Sequence, residues 1–106
     1  MPRPITDLFG NGTKTPKASE LIDWAVQQGW NQRPGPGPRV FVDANGFIRL
    51  KIKAAIARPG VGAGSQVPHV EVFDARGQRI DPHNGLPTGK RTPGNHRPID
   101  FDLPAT

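Results

Sequence analysis

The sequence predicts an α+β fold: one N-terminal helix packed on an antiparallel meander of four to five strands, with the opposite face of the sheet open and basic. Three observations predict it. Ala18, Leu21, Ile22 and Ala25 recur at the spacing of a single helix face. From residue 39 to residue 53, and again from residue 69, apolar and polar residues alternate as in a half-buried strand. Clusters of Asp, Asn and Gly separate these runs in the manner of hairpin turns.

Residues 1–14 are polar and punctuated by Gly and Pro, which reads as an arm or linker with Ile5, Leu8 and Phe9 available as anchors. Residues 15–106 then read as a single domain. Thr15 as N-cap and Pro16 at the first helical position open a helix that runs to Gln28. Gly29 suits the left-handed position that ends it. Residues 31–38 read as a loop, because three prolines and two glycines leave no room for ladder hydrogen bonds. Asp43-Ala44-Asn45-Gly46 is a turn between two strands, and residues 57–68 form a second loop. A third strand spans His69 to Asp74 and meets the turn Ala75-Arg76-Gly77, followed by a short strand from Gln78 to Asp81. After a long loop carrying His83, Arg91 and His96, Ile99 to Leu103 reads as the last strand.

Composition narrows the function. A chain of 106 residues, 34% apolar with 13 Gly and 13 Pro, holds one small core with long irregular loops. A formal charge of +5 points to a polyanionic partner. The absence of Cys excludes disulfide scaffolds, thiolate zinc sites and cysteine nucleophiles. No apolar run reaches membrane-spanning length. Of the polyanions a basic chain can meet, nucleic acid or an anionic membrane surface, the expected partner is RNA and no membrane. Met1-Pro-Arg-Pro lacks the apolar stretch of a signal peptide, so an exported domain would carry its address elsewhere.

Alternation along the strands assigns the faces. Ile48, Leu50, Ile52, Val70 and Val72 point to the helix, and Ile99, Phe101 and Leu103 point the same way. Arg49, Lys51, Lys53, His69, Glu71 and Phe73 then share the opposite face. Three cations in a row beside a His and a Glu suit RNA cleavage by transesterification. That reaction needs a proton acceptor for the 2′-hydroxyl, a proton donor for the leaving oxygen and cations for the phosphate. His69 is the first candidate for acid or base, with Glu71 as its partner. Arg49, Lys51, Lys53 and Lys90 are candidates for phosphate binding, and Arg91, Thr92 and His96 could fold in from the long loop. Three scattered His without Cys make a poor zinc constellation, and Gly60, Gly62 and Gly64 precede no helix that would cradle a phosphate. No metal or cofactor is expected.

The stretches 24–30 (WAVQQGW), 40–53 (VFVDANGFIRLKIK), 68–85 (PHVEVFDARGQRIDPHNG) and 90–103 (KRTPGNHRPIDFDL) carry a resemblance. They are similar to C-terminal toxin domains of bacterial polymorphic toxins of the Rhs and contact-dependent types, and to the barnase–EndoU–colicin–RelE ribonuclease group. Lys90-Arg91-Thr92-Pro93 with Pro98 and Asp100 is similar to, but no clean match for, a motif of several such families. The resemblance implies cleavage of RNA, tRNA foremost, by a monomer that an acidic immunity protein neutralises. It also implies secretion as the end of a larger toxin and action in the target-cell cytoplasm. Two other readings stay open: a non-catalytic RNA-binding module, and a secretion or phage adaptor whose charges serve solvation alone.

Overall fold

The computed structural model describes residues 3–35, 37–54 and 67–103. It is α+β, with one main helix against a six-stranded antiparallel sheet. A short helix α1 (Ile5–Leu8) precedes the main helix α2 (Ala18–Gln27). The strands are β1 (Asn31–Gln32), β2 (Arg39–Val42), β3 (Ile48–Lys53), β4 (His69–Phe73), β5 (Arg79–Ile80) and β6 (Arg97–Pro98). They run in the order β1-β2-β3-β4-β5, with β6 sharing the far edge of β4. Most of the second expected loop, residues 57–66, lies outside the described residues.

The expected face assignment holds at the centre of the sheet, while Ile48, at the start of β3, stays only half-buried and outside the core. Leu50 pairs with Val72 and Ile52 with Val70, and all four are buried with Leu21 and Ala25 of α2 in one core. Phe41, opposite Leu50, joins them. The β2–β3 turn is closed by the Asp43 carboxylate, which accepts the amides of Asn45 and Phe47, with Gly46 at φ +84°. Asp74 repeats the device between β4 and β5.

Four local readings are corrected. The segment read as an arm is part of the core: Ile5, Leu8 and Phe9 are buried, and the carbonyl of Arg3 accepts the indole N–H of Trp24 at 2.6 Å. This contact and the edge-on packing of Trp30 explain why Trp24 is buried although it lies off the apolar stripe. Residues 31–32 are not loop but pair with β2, because Pro34 begins only after the last ladder position they use. The helix begins later than expected, and its cap is not Thr15. Pairing of Lys17 with Asp100 keeps Pro16 and Lys17 extended. The first free amides of α2 then find acceptors in Glu20, the Asp100 carbonyl and the Asp102 carboxylate. Finally, residues 99–103 form no sheet strand. They run past the start of α2, with Ile99, Phe101 and Leu103 packed on the core and Asp100 and Asp102 outward. The C-terminus of α2 is as expected, with Trp30 N–H on the Ala25 carbonyl, Gly29 N–H on that of Val26, and Gly29 at φ +86°.

Phe9 is fully buried, so Phe9→Ala should cost about 3–5 kcal/mol in urea unfolding. A loosely attached arm would give no measurable change.

Candidate functional site

Strand β4 is the spine of the candidate site. Its outward residues His69 and Glu71 stand directly opposite Lys53 and Lys51 of β3. The alternation expected from sequence is therefore correct, and His69 does not lie under the helix. The expectation of an open face is not: His69 has no exposed surface and Glu71 retains 3%. The long loop forms a second layer over β4.

A clasp holds that layer. Asp81 accepts Arg97 Nε at 3.0 Å and Arg97 Nη2 at 2.7 Å, a two-pronged pair that joins the two ends of the loop. Pro93–Asn95 make one turn of 3-10 helix, and β6 zips onto β4 just beyond. Gly94 passes so close that a Cβ would sit 2.6 Å from Thr88 Oγ1 and 2.8 Å from Asp81 Oδ2, so a larger residue would have to push aside the carboxylate of the clasp. The layer drops Asn95 and His96 onto β4. Buried Asn95 donates from Nδ2 to the Lys90 carbonyl at 2.9 Å and to Glu71 Oε1 at 3.4 Å. The His96 ring lies 5.2 Å from that of His69.

Glu71 is the electrostatic centre. Lys53 pairs with its Oε2 and Arg79 Nη1 meets its Oε1 at 3.1 Å. Burial works to raise its pKa, but the Lys53 ammonium and the charges of Lys51 and Arg79 outweigh it and hold the carboxyl below its ordinary value. A carboxylate so engaged is a weak proton acceptor; its role is that of a fixed anion among cations. For Lys51, burial lowers the pKa. Glu71 opposes this, and the neighbouring charges of Lys53, Arg79 and Lys90 push it down further.

For His69, burial is the main cause of a lowered pKa, with the hydrogen bond to Val67 acting against it. Its Nδ1 lies 2.9 Å from the Val67 carbonyl, an acceptor, which places the proton of the neutral ring on Nδ1. Nε2 then carries a lone pair, buried and without a hydrogen-bond partner among the described residues. His96 is half-buried and directs Nδ1 to the Thr92 carbonyl at 3.1 Å, so it is the imidazole nearer to solvent.

Not every expected residue joins this group. Arg49 is committed elsewhere: Nε donates to the Phe73 carbonyl at 3.1 Å, Nη1 meets Asp43, and the guanidinium lies 4.5 Å over the Trp30 ring. Arg91 and Thr92 are exposed on the loop, where Thr92 Oγ1 donates to the Gly89 carbonyl. His83 packs against Phe9, away from the site. Arg79 and Asn95 were missed. Arg79 was readable, since an inward Ile80 in β5 sends its neighbour to the basic face; nothing in the sequence marks Asn95. Among the described residues no three His, Asp or Glu converge as metal ligands would.

The lowered pKa values of His69 and His83 make stability depend on pH. Below the ordinary value of 6.5 the unfolded chain binds protons that the folded chain refuses, so stability falls as pH drops through that value. Melting temperature should decline from pH 7.5 to pH 5 (about the span over which unperturbed His titrates). The double variant His69→Gln, His83→Gln should flatten this decline.

No protein-family model matches the chain, and no curated protein matches it.

Proposed function

We propose that the chain is a metal-independent endoribonuclease domain of the toxin kind, acting on RNA, with tRNA the first substrate to test. The observation that carries this reading is the pair of imidazoles, His69 and His96, held 5.2 Å apart beside a cluster of cations on one face. In the proposed reaction His96, the more exposed ring, takes the 2′-hydroxyl proton. The 2′-oxygen attacks phosphorus, the P–O5′ bond breaks and the 5′-oxygen takes a proton from water, leaving a cyclic phosphate and a 5′-hydroxyl, while His96 returns its proton to solvent. His69 sets the position of His96 from below, and Lys51, Lys53 and Lys90 offset the charge on the phosphoryl oxygens. In this reading the domain ends a larger secreted toxin, acts in the cytoplasm of a competing bacterium, and is held inactive by an acidic immunity protein seated on the cationic face.

The burial of His69 and Glu71 favours a second reading, an RNA-binding module without catalysis. Incubation of the pure domain with total tRNA in EDTA separates the two. Discrete fragments ending in cyclic phosphate are expected for the ribonuclease, and a gel shift without fragments for the binder. Neither would leave an adaptor. His96→Ala should lower cleavage about 10²- to 10⁴-fold with an unchanged melting temperature. Undiminished cleavage would remove His96 from the reaction.

A further inference from the structure

Arg79 was not among the residues expected to meet a ligand, yet it occupies the place Arg49 was expected to fill. Three cations, Lys51, Lys53 and Arg79, surround the single carboxylate of Glu71, an excess of two positive charges, and Lys90 stands close enough to Lys51 to add its charge. The excess has no counter-ion among the described residues near it. Glu71 engages one N–H of Arg79 and pairs with the Lys53 ammonium, so most of their donors stay unspent. Both side chains remain partly exposed, at 22% and 25%. The Arg79 guanidinium also rests 4.8 Å over the Phe73 ring, with Lys51 Nζ 5.8 Å from the same ring. Both cations thus rest against one aromatic ring. Asn95 ties the Lys90 backbone to Glu71, which sets exposed Lys90 at the margin of the group.

An anionic group is what such an arrangement lacks. A planar guanidinium with free donors suits a phosphate oxygen pair better than a lone ammonium does. We propose that Arg79, together with Lys51, Lys53 and Lys90, forms a receptor for a backbone phosphate of single-stranded nucleic acid, with buried Glu71 as the positioning residue that aims Arg79 and Lys53. The receptor rests on the ribonuclease reading only for its place beside His96; the recognition itself needs no chemistry. Arg49, spent on Asp43, Phe73 and Trp30, takes no part.

A deoxyoligonucleotide tests this, because it carries the phosphates and lacks the 2′-hydroxyl, so it cannot be cut by transesterification. Its affinity is measured by fluorescence anisotropy across a salt series. Arg79→Gln should weaken binding several-fold and shallow the dependence of log K on log salt by about one phosphate contact, roughly 0.7 for a single strand. Arg79→Lys, which keeps the charge, should keep the slope while losing part of the affinity. Arg49→Gln should keep both. An unchanged slope in a folded Arg79→Gln, or an equal loss in Arg49→Gln, overturns the receptor. Glu71→Gln removes both the anion that repels phosphate and the group that aims Arg79 and Lys53. In the folded variant an affinity that falls despite the added positive charge supports the positioning role, and an unchanged or raised affinity overturns it. If Arg79 governs binding and RNA stays intact, the receptor stands and the ribonuclease reading fails. If RNA is cut while Arg79→Gln binds like wild type, the reverse holds.

Discussion

A carboxylate cannot be taken out of water at small cost unless charge and hydrogen bonds meet it there. Glu71, in strand β4 between β3 on one side and β5 and β6 on the other, is such a group, and much of the outer layer is arranged around it. Lys53 arrives from β3, Arg79 from β5 and Asn95 from the covering loop. Three separate parts of the chain are thereby fixed relative to β4 by one side chain. Removing the carboxylate would leave clustered cations facing one another, so the pairing organises the face as much as it stabilises it.

The same constraint explains why the loop over β4 has a defined shape despite its Gly and Pro content. Its ends are tied by the Asp81–Arg97 pair and its middle by Asn95, while β6 anchors it to the free edge of β4. Burial of His69 follows from this cover. The neutral tautomer, with Nδ1 on a carbonyl, is the state that a ring without water can hold most cheaply.

On the other side of the sheet the two ends of the chain do comparable work. Residues 3–9 close one flank of α2 through Phe9 and the Trp24 hydrogen bond. Residues 99–103 close its start, where Asp102 accepts the Ser19 amide and hydroxyl. An isolated ten-residue helix is marginal in water. Contacts of this kind, more than helix propensity, hold α2 in place.

By itself the sequence determined whatever depends on local periodicity and turn chemistry. The α+β class, the apolar stripe of α2, its Gly29 terminus, the Asp43 and Asp74 turns and the two faces of β3 and β4 all follow from residues within a few positions of one another. The union of His69, Glu71, Lys51 and Lys53 on one face was legible for the same reason, since period-two alternation fixes it. Tertiary structure alone decided how that face is covered. Thr15 lost the cap because acceptors about 80 positions away reached the amides first. The covering loop has no periodic signal, and its fold comes from pairs 16 and 24 residues apart. Arg49 and Arg79 exchanged roles because Trp30 and Asp43 lie near one and Glu71 near the other, a matter of where strands sit side by side.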